Sequence, residues 1–256
     1  MKTSRYEYSV GEFAEHGHKH GEILRRRRVG VFVASMLLIA VVIVQNGDMW
    51  QMNSAPPSTN SADASVPIGS AADLLATLPI KGRAPKTNYS RNHFGDGWAT
   101  IKGCDTRNVI LHRDLKQSVI GESCNVLSGI LEDPYMGKII LFKRGAGSSA
   151  DVQIDHVVAL GDAWQKGAQS LSYDERVKLA NDPLELLAVD GPANQQKSDG
   201  DAATWLPPNK SFRCQYVARQ VAVKAKYDLW VTQAEHDAIA NLLSKCPNQP
   251  LPTART

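Results

Sequence analysis

Cysteine is scarce in this chain, four in 256 residues, which excludes a small scaffold held together mainly by disulfides. Neither sign of charge dominates. The formal net charge is only +3, too small to name a partner. Aromatic residues make up 7%, and no internal repeat, C-x-x-C zinc spacing, finger repeat or aromatic–basic tract is present. Long apolar runs are also lacking, with one exception near the N-terminus, so a multi-span membrane protein is excluded. What remains, 43% hydrophobic and 21% charged residues, is the profile of an ordinary globular protein. At 27.9 kDa there is room for one sizeable domain and appendages.

The exception defines the front of the chain. Residues 1–28 are polar and end in Arg25-Arg26-Arg27-Arg28, followed by VGVFVASMLLIAVVIV from Val29 to Val44. These 16 residues fall short of the roughly 20 that cross a bilayer, and extension to Trp50 supplies the rest. The expectation is a transmembrane signal anchor over 29–50, with residues 1–28 as a cytoplasmic tail, because the arginines precede the span. Cleavage and secretion is the alternative. Gln45 to Met52 offers no small-x-small site, the nearest being Ala62-Asp63-Ala64. Residues 51–80 read as a flexible tether, rich in Ser, Ala, Pro and Asn from Asn53 to about Pro67. Residues 81–256 are the expected extracytoplasmic domain.

All four cysteines, Cys104, Cys124, Cys214 and Cys246, follow the apolar run. An even count in an exported domain suggests two disulfides, for which three connectivities exist. Cys104–Cys124 and Cys214–Cys246 are the economical pairs, each closing a short loop and each able to stabilise the fold by about 2–4 kcal/mol.

Within the domain, residues 71–78 suggest a short helix, and 125–131 with 138–142 suggest two strands around the turn chemistry of Asp133-Pro134 and Gly137. Gln153–Leu160 is a short apolar run interrupted by Asp155 and His156. Ser172 with Glu175, and Thr232 with Glu235, have the spacing of capping boxes that open helices reaching about Ala180 and Lys245. Leu186–Val189 is a strand candidate before Asp190-Gly191-Pro192. Apolar residues at Phe212, Tyr216, Val217, Val221 and Val223 mark one face of a further helix. The sum is an α+β domain. Trp164 and Trp205 read as packing anchors, and Asp199 and Asp201 as turn or cap residues.

Chemistry concentrates between Asp151 and Asp201. A charged pair, Asp155-His156, lies in an otherwise apolar strand, where burial without partners would be costly. Strand, turn, strand and helix would bring Asn194 towards it. Such a set suits phosphodiester hydrolysis. His156 can take a proton from water near neutral pH. A hard cation held by Asp155 and Asn194 oxygens can stabilise phosphoryl charge and leaving group, and Mg²⁺ tolerates few protein ligands because it keeps its waters. Lys197, one turn beyond Asn194, is placed to approach a phosphate. Arg107 either grips a phosphate or braces the Cys104 loop.

DVQIDHVVAL followed by NDPLELLAVDGPANQQKSDGDAATWLPP resembles the ββα-metal (HNH) nucleases. It is most similar to an exported actinobacterial-type branch related to the C-terminal domain of the GmrSD restriction endonucleases. GCDTRNVILHRDL, VLSGILEDPYMGK and YVARQVAVKAKYDLWVTQAEHDAIANLLSKC extend the resemblance over about Asn88 to Cys246. It implies a ββα-metal HNH nuclease core with an N-terminal β-hairpin region, C-terminal helices and a separate N-terminal membrane helix. It also implies one divalent metal, Mg²⁺ before Mn²⁺ or Zn²⁺, with His156 as general base and Asp155 and Asn194 as metal ligands. The middle motif position, usually an Asn whose amide braces the loop holding the histidine, is here Glu185, taken with His156 as a catalytic residue. When ionised it accepts hydrogen bonds but cannot donate them, and its alternative roles are to orient His156 or to contact the metal through water. From Lys81 onward, 22 basic residues face 19 acidic ones, a balance that suits largely non-specific, salt-sensitive binding of nucleic acid, DNA before RNA. The alternative is a non-catalytic, membrane-anchored envelope module that binds polyanions or a protein partner.

Overall fold

A computed structural model describes residues 69–252. The cytoplasmic tail, the membrane span and most of the tether expected from the sequence lie outside the described residues. Among the described residues, no helix is long and apolar enough to cross a membrane.

The elements run α1 (Ala71–Leu75), β1 (Thr100–Ile101), β2 (Cys104–Asp105), α2 (Thr106–Asp114), β3 (Leu115–Ile120), β4 (Val126–Glu132), β5 (Ile139–Lys143) and β6 (Val152–His156). After β6 come α3 (Leu160–Gln165), α4 (Tyr173–Ala180), β7 (Leu186–Asp190), α5 (Gly191–Lys197), α6 (Arg213–Lys226) and α7 (Gln233–Leu243). Helices and small antiparallel sheets, β1-β2, β3-β4-β5 and β6-β7, give the α+β class. The folded part begins earlier than Lys81. Ser70 bridges to Pro250 and Ile80 to Val231, and Ala71 and Leu75, one turn apart, are buried against α6 and α7. The end of the expected tether is therefore part of the domain.

The β4-β5 hairpin closes where Asp133, Pro134 and Gly137 suggested, with Gly137 N–H donating to the Asp133 carbonyl at 3.0 Å. Strand β3, which the sequence reading lacked, pairs with β4 across two register shifts. Only Leu115 among its six residues is buried, so no alternation announces it.

The β6-β7 ribbon lies between two cores. Val152, Ile154, Leu186 and Ala188 face the smaller one, with Ile110, Leu111, Leu131 and Phe142. Leu187 and Val189 face the larger one, built around α6 and α7. Period-two alternation explains the split, since the register sets Ile154 opposite Ala188 and Asp155 opposite Leu187. Helix α5 follows β7 at once. Asp190 caps it by accepting from Ala193 N–H at 3.0 Å, with Pro192 in the first turn. At Gly191 an added Cβ would meet the Ala150 carbonyl oxygen at 2.1 Å, so only glycine fits this junction.

Both disulfides have the economical pairing, Cys104–Cys124 and Cys214–Cys246. Ser172 and Glu175 form the full reciprocal capping box of α4. Thr232 caps α7 by accepting from Glu235 N–H at 3.2 Å, but the Glu235 side chain does not return the bond. It is drawn into a buried ionic cluster instead. Lys166 reaches Asp162 at 2.7 Å, Asp201 at 2.8 Å and Glu235 at 2.6 Å. Lys224 adds Glu235 at 3.0 Å and Asp162 at 3.5 Å, and Arg83 joins Asp162 at 2.8 Å and Asp201 at 2.5 Å. Three cations balance three carboxylates, which is the condition for burying them at tolerable cost. The cluster ties α3, the segment after α5, α6 and α7 together. Asp201 is therefore an ionic anchor as well as a turn residue, accepting from Ala203 N–H at 3.1 Å.

Lys166→Met removes the cation at the centre and leaves carboxylates unpaired in the core. Urea denaturation is expected to show a loss of about 3–5 kcal/mol. A loss under 1 kcal/mol would mean that the cluster is not sealed from water.

Candidate functional site

His156 ends β6, opposite Leu186. Its Nε2 lies 2.9 Å from the Ala180 carbonyl oxygen at the end of α4. A carbonyl only accepts, so Nε2 carries the proton and Nδ1 keeps its lone pair. The ring stacks on Trp98, with centroids 5.8 Å apart and planes 7° from parallel. Burial lowers its pKa from 6.5 to about 3, with Arg91 adding repulsion. The imidazole is therefore neutral at physiological pH, the form that can accept a proton.

Asp155 points to the other face of the ribbon, where α5 packs. Its Oδ2 accepts a short hydrogen bond from the Tyr135 hydroxyl, and its Oδ1 lies 3.0 Å from Lys197 Nζ. Burial pushes the carboxyl up, against Lys197 and Tyr135, which favour the charged form. Lys197 donates also to the His156 carbonyl at 2.7 Å and is only 2% exposed. The structure thus holds the ammonium inside the domain, away from the phosphate-approaching position expected from its spacing. The reason is local. Lys197 closes α5 on the side that faces β6, and a buried carboxylate stands opposite.

Asn194 lies one turn earlier on α5 and donates from Nδ2 to Gln153 Oε1 at 3.0 Å. That bond leaves the amide oxygen of Asn194 free of hydrogen bonds among the described residues. Arg107, on α2, donates through Nη2 to the carbonyls of Ser149 at 3.3 Å and Val152 at 3.1 Å. The same side chain lines the cleft described next, so bracing does not remove it from the site.

Asp155, His156, Asn194 and Arg107 all border one cleft of about 370 Å³, along with Arg91, Trp98 and Tyr89. Lys197 and Glu185 do not line it. Tyr89, Arg91 and Trp98 on its wall escaped the sequence reading, as did Tyr135, which holds Asp155 from the interior. Arg91 lay in a stretch of basic and turn-forming residues, Trp98 in a loop, and Tyr135 in a hairpin turn. None has a periodic or motif signal. An aromatic residue inside the polar Glu132–Gly137 turn was the sole hint of Tyr135.

Glu185 precedes β7 and is fully buried. Its Oε2 accepts from Val158 N–H at 3.1 Å, while Oε1 has no partner among the described residues. It braces the segment after His156 from behind, where the middle Asn of the motif was expected to act. Burial raises its pKa well above 4.5, against Val158 N–H and Lys197 and with smaller help from Asp155 and Asp182, which favours the neutral carboxyl. A protonated carboxyl has both a donor and an acceptor. Among the described residues, however, no acceptor faces Oε1, so only the accepting role is filled.

No group of three or more His, Cys, Asp or Glu side chains is placed to hold a metal ion among the described residues. A zinc site of the structural kind does not fit. Of the two expected ligands, Asn194 offers a free amide oxygen, whereas both oxygens of Asp155 are already engaged by Tyr135 and Lys197, so a hard cation there would use their remaining lone pairs and keep most of its waters.

The model of the GmrSD restriction endonucleases, C-terminal domain, matches residues 105–242. The chain belongs to that family. An uncharacterized secreted protein of Arthroderma benhamiae is 37% identical over 196 residues, covering 75% of this chain and 93% of that protein. No solved structure matches the chain. The family match takes in the β6-β7 ribbon, α5 and Glu185, whereas Tyr89, Arg91 and Trp98 precede it.

The raised carboxyl of Glu185 carries a signed pH dependence. A folded pKa above the unfolded one contributes stability fully below pH 4.5, and that stability is lost as pH rises towards the folded value. Glu185→Gln keeps the shape and the acceptor for Val158 N–H without that loss. Thermal melts are expected to coincide for the two proteins near pH 4. Above it the variant should gain by about 1.4 kcal/mol per pH unit, until Glu185 ionises in the folded state. A variant that is less stable at pH 7 would show Glu185 to be ionised there.

Proposed function

We propose that this protein is an exported, metal-dependent endonuclease that hydrolyses phosphodiester bonds of nucleic acid, with DNA as the first candidate substrate. The observation that supports this reading most is the meeting of Asp155, neutral His156, Asn194, Arg91 and Arg107 around one cleft. Membership of a restriction-endonuclease family makes a nuclease-related function the coarse conclusion, and the cleft supplies residues for it. Two disulfides and a relative named as secreted support a domain that works outside the cytoplasm, anchored by the apolar segment over 29–50 or released from it.

In this reading the ββα-metal core is β6, β7 and α5, with α3 and α4 inserted between the strands. Asp155 and Asn194 would hold one divalent cation, Mg²⁺ before Mn²⁺ or Zn²⁺. When bound, the cation supplies charge stabilisation at the phosphoryl group and the leaving oxygen. His156 takes the proton of the attacking water on Nδ1, because Nε2 is already committed to Ala180. Forming an imidazolium in so buried a position is costly, and a phosphate anion in the cleft offsets that cost. Arg91 and Arg107 hold the phosphate oxygens from the cleft wall. Tyr135 and Lys197 fix the Asp155 carboxylate, and Glu185 fixes the segment after His156. None of these three touches substrate.

His156→Gln retains a donor for the Ala180 oxygen but loses the base. Plasmid nicking with Mg²⁺ is expected to fall by about 10²–10⁴-fold at a nearly unchanged melting temperature. Undiminished nicking would remove His156 from the mechanism. EDTA is expected to stop wild-type nicking while leaving the melting temperature in place. Unfolding on chelation would point instead to a structural metal.

A further inference from the structure

The cleft does not end at His156. A smaller space of about 140 Å³ continues from it past Arg91, His156 and Trp98. Beyond Trp98 opens a groove of about 480 Å³, between the Gly95–Ala99 loop and the first turns of α4. Trp98 borders all three, with its indole stacked on His156 on the cleft side. The groove differs in chemistry from the cleft. Its wall carries Val177 and Tyr173, the latter 49% exposed at the start of α4. Its charged groups are Asp96, Asp174 and Lys178, two carboxylates against one ammonium.

That balance repels a phosphate, whereas the two arginines of the cleft attract one. A flat, uncharged group with amino or carbonyl edges suits the groove. Exposed aromatic faces are the surfaces on which nucleobases stack in single strands, where every base offers a π-face. Bases inside a duplex are stacked on each other and cannot enter without being extruded.

We propose that the groove bordered by Trp98, Val177 and Tyr173 receives the nucleobase adjacent to the scissile phosphate, which makes single-stranded nucleic acid the preferred substrate. The proposal rests on the nuclease reading of the neighbouring cleft. It divides the labour between a cationic wall for the backbone and an aromatic, weakly acidic groove for a base.

The test uses the full-length protein in EDTA and fluorescence anisotropy with two labelled probes, a single-stranded DNA decamer and a fully abasic deoxyribose-phosphate decamer. Wild type is expected to bind the DNA decamer at least about fivefold more tightly than the abasic one, the lower end of a single stacking contact. Tyr173→Ala should lose that advantage and leave abasic binding unchanged, while Tyr173→Phe restores it. Arg91→Ala should weaken both probes alike. Equal binding of both probes by wild type, or equal losses on both in Tyr173→Ala, would overturn the base subsite. If Arg91→Ala then still weakens both probes, the nuclease reading survives. Absence of binding to either probe by wild type would remove both readings together.

Discussion

The ion pair between Lys197 and Asp155 is the constraint on which the site depends. An ammonium 2% exposed to solvent must find an anion, and the only arrangement that supplies one presses α5 against β6. The same ammonium donates to the His156 carbonyl, so one cation fixes the carboxylate and the backbone of the histidine beside it. Tyr135 completes the carboxylate from the hairpin loop. Removing either partner of a buried pair leaves an uncompensated charge, which is far more costly than the pair is stabilising. The rigidity of this corner follows from that asymmetry.

The six-member ionic cluster around Lys166 acts on a larger scale. It links the helix inserted after β6 to the two C-terminal helices and to the segment that follows α5. Its three cations match its three carboxylates in number. The cleft carries its own exposed cation, Arg91, and a half-buried one, Arg107. Buried charge in this protein therefore holds elements together, while Arg91 and Arg107 border the cleft. The modest net charge of +3 hides that separation, because an average over the chain weighs both kinds alike.

Much of the neighbourhood of the site was legible before any coordinates. The capping box at Ser172 gave α4, Leu186–Val189 before the turn-like Asp190-Gly191-Pro192 gave β7, and the apolar run from Gln153 gave β6, although the strand ends at His156 and Leu160 already opens α3. Each is a short-range rule in which side chain and backbone are a few residues apart. Lys197 was misplaced because its spacing from Asn194 is local information, while its partner lies 42 positions away in sequence. Glu235 has the spacing of a capping residue, yet Lys166 and Lys224 outcompete the local backbone N–H for its carboxylate. Trp98, Arg91 and Tyr135 carry no periodic signal, since loops and turns obey no repeat.

By itself, the sequence determined the α+β class, the disulfide-competent domain behind an apolar segment, the family, and the pairing of an acid with a histidine on one strand. These are consequences of composition, cysteine count and residue order, which survive without knowledge of distant contacts. Only the tertiary structure decided that burial raises the Glu185 pKa, that Lys197 is buried, and that Arg91 and Trp98 share a cleft with His156. Protonation state and accessibility depend on the dielectric surroundings and on long-range neighbours. No window along the chain contains either.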